Sequence, residues 1–194
     1  GNETLFNIMV WGTEAPQIWV ERPLNGEVVN TTPIEVVGGV VDADLTTLEI
    51  NGVPAQVTNG SFTANVDLTT GINEIFVFSA DANSNEASLT VTAVLDTVAP
   101  ELVVTSPASD IFVRDESIRV AGFTTDPNNY YVSLLSINTD FSPDIEYWPE
   151  ILNGAFEADV SLKANHNNII NLVSYDWAGN LTTTSIRVYR DTSA

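Results

Sequence analysis

The chain repeats itself, and the repeat limits its fold more than any composition does. Adding 84 to positions in the first half carries Pro16, Pro23, Ile34, Val36 and Gly38 onto Pro100, Pro107, Ile118, Val120 and Gly122. Past the middle the offset grows to 94, taking Asn59-Gly60 and Leu68 to Asn153-Gly154 and Leu162, and Asn73 to Asn167. It ends at 95, with Asn85 on Asn180 and Asp96-Thr97 on Asp191-Thr192. A repeat held across 194 residues implies two domains built alike rather than one large core. Most of the extra length of the second copy lies between Asn138 and Asn153. The expected division is an N-terminal strand over 1–14, a first domain over 15–97 and a second over 98–194.

Within each copy, short alternating runs rich in Val, Ile and Thr are separated by Gly, Asn, Asp and Pro, the habit of antiparallel sandwiches. Ile34 to Val41, Thr47 to Ile50, Ser61 to Leu68, Ile72 to Ala80 and Ser88 to Leu95 read as strands, and no helix is expected. Asn51-Gly52 and Asn59-Gly60 predict tight hairpins, because both central positions of such a turn take positive φ. Along Ser61 to Leu68, Phe62, Ala64, Val66 and Leu68 share one face.

These features resemble the bacterial immunoglobulin-like domains strung together in surface proteins and appended to secreted glycosidases. The residues that carry the resemblance are Pro23 and Gly26, Ile50-Asn51-Gly52-Val53, Phe62, the Leu68-x-x-Gly71-x-Asn73 corner and Asp96-Thr97-x-Ala99-Pro100. In the second copy they are Pro107, Phe156, Leu162 with Asn167, and Asp176-Trp-Ala-Gly-Asn180, with Asn165 in place of Gly71. The implied fold is all-β: two tandem Ig-like antiparallel β-sandwiches, preceded by an orphan N-terminal strand. The implied setting is extracellular or on a bacterial surface.

The orphan is Thr4 to Gly12, which the 84-residue shift lays on Ser88 to Asp96, the last strand of the first copy. There the apolar residues alternate with Thr, but Leu5, Phe6, Ile8, Met9, Val10 and Trp11 place large apolar side chains on both faces. A strand with two apolar faces is one covered on both sides, and left bare it promotes strand-to-strand association. The first expectation is therefore a structural subunit of a pilus-like fibre. Its N-terminal strand would complete the sheet of a neighbouring copy, and such a head-to-tail contact makes a homopolymer. The alternatives are a strand left by a cut inside a longer array, or an extra strand of the first sandwich. From a different class comes a carbohydrate-binding or adhesive module of a larger secreted protein.

Charge excludes one class of partner. Six Lys and Arg stand against 26 Asp and Glu, a formal charge of −20, so nucleic acid is not expected. The absence of cysteine removes disulfides and thiolate chemistry. No run approaches the ~20 apolar residues of a membrane span, and no signal-peptide pattern opens the chain.

No catalytic set emerges, and no enzyme is expected. His166 sits in an Asn-rich corner as a turn residue, and Lys163 has no Asn and carboxylate arranged for an internal crosslink. Calcium is the ion the loops suit, through Asp42 and Asp44, through Asp81 with Asn83 and Asn85, and through the linker residues Asp96 and Glu101. Tyr130, Tyr131, Phe141, Tyr147 and Trp148, on the insert of the second copy and the strand before it, are candidates to stack on glycans or to form a subunit contact. Asn2, Asn30, Asn59 and Asn180 begin glycosylation sequons.

Overall fold

A computed structural model describes residues 14–108, 110–126, 132–139 and 146–193, with only the backbone of 132–139. The chain divides between Leu95 and Asp96 into two compact units. Both are all-β.

Unit 1 opens with β1 (Gln17–Arg22) and the short β2 (Glu27–Val29), then β3 (Ile34–Val41) and β4 (Leu45–Ile50). Two very short strands, β5 (Val53–Pro54) and β6 (Val57–Thr58), lead to β7 (Ser61–Val66), β8 (Gly71–Asp81) and β9 (Glu86–Leu95). One sheet runs β1-β3-β7-β6 and the other β2-β9-β8-β4-β5. All pairings are antiparallel except β2 with β9. Two sheets facing each other bury alternate side chains between them. Val36, Leu48, Phe62, Ile75 and Val77 fill that space.

Unit 2 repeats the scheme with β10 (Glu101–Ser106), β11 (Ile111–Val113), β12 (Ser117–Thr125) and β13 (Val132–Thr139). It continues with β14 (Glu146–Tyr147), β15 (Ala155–Ser161), β16 (His166–Asp176) and β17 (Leu181–Arg190). Its sheets run β10-β12-β15 and β11-β17-β16-β13-β14. Val120, Phe156, Val160, Ile170, Leu172 and Val188 form its core.

The turns are those the sequence specifies. Asn51 and Gly52 have φ of 51° and 76°, Asn59 and Gly60 51° and 79°, and Asn153 and Gly154 51° and 80°. Asn51 also bridges to β8: its Oδ1 accepts the Phe76 N–H at 2.8 Å.

Buried glycines let a core aromatic approach the sheet. A Cβ on Gly38 would lie 2.2 Å from the Trp19 carbonyl oxygen and 2.4 Å from Phe62 Cζ. The corresponding Gly122 would meet the Val103 oxygen at 2.1 Å and Phe156 Cζ at 2.8 Å. Each glycine thus makes room for the largest ring of its core.

The corner before the penultimate strand corrects the repeat alignment. In unit 1 the Asn73 side chain holds it: Oδ1 accepts the Thr69 N–H, and Nδ2 donates to the Thr69 and Gly71 carbonyls. In unit 2 these bonds belong to Asn168, not Asn167. Asn168 Oδ1 accepts the Lys163 N–H, and its Nδ2 donates to the carbonyls of Lys163, His166 and Val188. One extra residue is accommodated before Asn168, with Asn165 taking the positive φ of 52°. From there the offset is already 95, which pairs the buried Ile75, Val77 and Ser79 with Ile170, Leu172 and Ser174.

Candidate functional site

Three places carry chemistry: the loop ends where carboxylates gather, the flank between the two sheets, and the exposed aromatics. Asn2, Leu5, Phe6, Ile8, Met9, Val10, Trp11, Tyr130, Tyr131 and Phe141 lie outside the described residues.

In unit 1, Asp42 follows β3 and Asp81 ends β8, which brings these strand ends together. Carboxylate oxygens of Asp42, Asp44 and Asp81 lie within 4.8 Å of one another. Asp81 is buried and organises the β8–β9 turn: the N–H groups of Asn83 and Asn85 donate to its Oδ1, and Asn85 Nδ2 donates to Oδ2. The bond from the Asn85 side chain, with the backbone bonds, holds its carboxyl below the ordinary carboxylate value. Asp44 goes the other way: desolvation first, then the charges of Asp42 and Asp81, push it up.

Unit 2 gathers a corresponding group. Oxygens of Asp96, Asp126 and Asp176 lie within 4.8 Å of one another. Asp126 and Asp176 are the repeat partners of Asp42 and Asp81, and Asn180 serves Asp176 as Asn85 serves Asp81, at 2.8 Å for both bonds. The third member differs, because Asp44 comes from the loop after β3, whereas Asp96 comes from the segment before β10. Of the four residues expected to hold calcium, Asp42 and Asp44 therefore meet each other in unit 1 and Asp96 belongs to the group in unit 2. Glu101 joins neither, since it opens β10 opposite Thr125 on an exposed position. Sequence reading named Asp81 but passed over Asp126 and Asp176 as ligands, although the repeat offsets applied to Asp42 and Asp81 point to both.

The second place is the flank between sheets. In unit 1, β6 pairs only with Ser61 and Phe62, so among the described residues the far half of β7 has no strand neighbour on that side. A cavity of about 280 Å³ opens there between β5 and β7, lined by Ile50, Val53, Pro54, Ala64, Val66 and Asp67 among others. Val53 is 65% exposed at its rim. In unit 2 the same flank is plugged. Val53 pairs with Ile50 across the β4–β5 hairpin, and Tyr147 pairs with Ile137 across β13 and β14, so Tyr147 occupies the place of Val53. Its ring packs on the core beside Ile151, and its OH accepts the Ser161 N–H at 2.8 Å. Ser161 is the repeat partner of Asp67.

Of the aromatics expected to face a ligand, Tyr147 is thus turned inward as a plug, while Trp148 is 53% exposed. An aromatic pair that the sequence did not single out lies on the outer face of unit 2: Phe112 of β11 meets Tyr189 of β17 at 5.5 Å, tilted by 55°. The same positions in unit 1 hold Val28 and Val94.

Among the sequons, Asn59 is exposed at its turn and Asn30 half-buried. Asn180 Nδ2 already donates to Asp96 O, Val98 O and Asp176 Oδ2, so a sugar on that nitrogen would break the turn. Lys163 is exposed, and His166 is half-buried at the start of β16. No helix among the described residues is long and apolar enough to cross a membrane.

Two sandwiches of this topology are immunoglobulin-like modules, of the sort also called fibronectin III-like. Residues 16–97 match the family described as glucodextranase, domain B. A stretch of 75 residues is 33% identical to bacillopeptidase F of Bacillus subtilis (strain 168), covering 39% of this chain and 5% of that protein. The fold is similar to that of the fibronectin(III)-like modules of Clostridium thermocellum CbhA, with a TM-score of 0.60 at 12% identity over 91% of this chain and 95% of that one.

Proposed function

We propose that the chain is a non-catalytic structural segment of an exported bacterial protein, two Ig-like modules that space or scaffold other parts. The observation that carries this reading is that each unit closes its own sandwich. β9 pairs along β8 from Gly71 to Ala80, and β17 along β16 from His166 to Tyr175. A self-contained sandwich can be set in series with others without borrowing a strand. The similarity of the first unit to domain B of glucodextranase, and of a stretch of the chain to bacillopeptidase F of Bacillus subtilis, supports an accessory role in a larger protein.

The pilus-like form of this reading needs a receiving position. Both last-strand positions are filled by the chain itself, so a donor segment would pair with a sheet edge such as the part of β7 that β6 does not cover. A second reading, uptake of a hard divalent cation such as calcium, is favoured by the two carboxylate groups at corresponding strand ends. Loop carboxylates and side-chain amides are the oxygen ligands that ion takes.

Affinity electrophoresis of the whole chain in gels carrying soluble α- and β-glucans tests the structural role. Unchanged mobility is expected. Retardation that Trp148→Ala removes would replace the spacer by a sugar-binding module. For the cation, calcorimetric titration with calcium alone and with Asp126→Asn or Asp81→Asn separates binding from general screening. Loss of one site in each variant is expected, and no heat above dilution in the native chain would overturn that second reading.

A further inference from the structure

We infer that the open flank of unit 1, between β5 and the far half of β7, receives residues 5–11 of a second copy of this chain. The inference deepens the structural reading, because it names how copies would meet. Unit 2 shows what this flank is shaped to hold: an aromatic side chain, Tyr147, presented from a short extended segment, with its OH on the Ser161 N–H. Unit 1 has Val53 in that place and leaves a cavity of about 280 Å³ walled by Ile50, Pro54, Ala64 and Val66. Beside it runs the half of β7 that β6 does not cover, an edge able to pair with added backbone.

The occupant is argued from the chain outside the described part. Leu5, Phe6, Ile8, Met9, Val10 and Trp11 are the densest run of large apolar side chains in the sequence, and two are aromatic. Thr4 to Thr13 contains no charged residue in a chain of net charge −20, so it approaches Asp67 at the rim of the cavity without adding like-charge repulsion. The segment's own unit is badly placed to receive it. It enters at β1, and β1 lies at the opposite edge of its sheet from β7's open side, with β3 between. A second copy has no such obstacle.

Sedimentation velocity of the whole chain over a wide concentration range tests this. Self-association is expected, weakened by about tenfold or more in Val53→Tyr, where the new ring fills the slot as Tyr147 does, and equally in the double variant Phe6→Ser, Trp11→Ser. Should Val53→Tyr fail to fold, Val53→Asp at the same exposed rim serves in its place. A native chain that stays monomeric, or association unchanged in Val53→Tyr, overturns the inference. Glucan binding would end the spacer reading without altering any sedimentation result, so the two failures are told apart.

Discussion

The two units share a plan and solve the same packing problems with different residues. Where β1 crosses β3, unit 1 lays Trp19 over Gly39, so close that a Cβ there would stand 2.0 Å from the indole. Unit 2 reverses the sizes, with Val103 opposite Phe123. One large and one small side chain are needed on that outer face, and which strand supplies the large one is free. On the flank, unit 2 spends an insert and a tyrosine where unit 1 stays open. In the core, Thr124 and Ser174 bond at 2.6 Å where unit 1 has Val40 and Ser79. At the Trp19–Gly39 and Val103–Phe123 positions the exchange is roughly compensated in volume, whereas at the flank and at Val40 the units differ outright: Ser79, with Val40 in place of a threonine, turns its hydroxyl to the Ala87 carbonyl.

The sharpest way to break the comparison is at its glycines. Gly38→Ala drives a methyl into the Trp19 carbonyl and the Phe62 ring, and Gly122→Ala does the same to Val103 and Phe156. Each should cost ~1–3 kcal/mol or more, since backbone cannot step aside. Gly39→Ala meets only the Trp19 side chain, which can swing outward, and should cost less. Chemical denaturation of the three variants checks the order; equal losses at Gly38 and Gly39 would mean that the backbone contact does not matter.

A smaller effect is expected at the plug. Tyr147→Phe keeps the ring and removes the acceptor for the Ser161 N–H, at a cost of ~0.5–1.5 kcal/mol. The loss should fall on the melting of unit 2 alone, and an unchanged melt would show that water replaces the bond.

The smallest effect is one of pH. Asp44 is raised, so the native state holds that proton more tightly than the unfolded chain, and unit 1 loses stability as pH climbs through and above the ordinary carboxylate range. Asp81 is lowered, so its contribution is present above that range and is lost as pH falls through its native value. Asp44→Asn should therefore raise the melting temperature of unit 1 slightly at neutral pH, and Asp81→Asn should lower it. With calcium present, Asp44→Asn should lose its benefit. A melting temperature for Asp44→Asn below the native one in chelator would contradict the assigned repulsion.

How far the sequence reached varies with the range of the interaction. Asn51-Gly52 and Asn59-Gly60 could be read as hairpins because positive φ is a property of two adjacent residues. Phe62, Ala64, Val66 and Leu68 could be read as one face because alternation along one strand sets it, whereas Ile75-Phe76-Val77-Phe78 is apolar throughout and only the fold shows that Ile75 and Val77 are the buried ones. The corner was misaligned by one residue, Asn167 for Asn168, because an insertion between two asparagines leaves no mark in the letters; only the bonds to Lys163, His166 and Val188 distinguish them.

By itself, then, the sequence determined a twofold all-β plan, its turns and its inward faces, since these follow from neighbours along the chain. Tertiary structure alone decided which carboxylates share a strand end, why Glu101 stands apart, and that the Tyr147 ring packs on its own core with its OH on the Ser161 N–H. Those outcomes depend on strands far apart in sequence meeting at a particular register, since a shift of one residue turns a strand's side chains to the other face and moves the loops at its end.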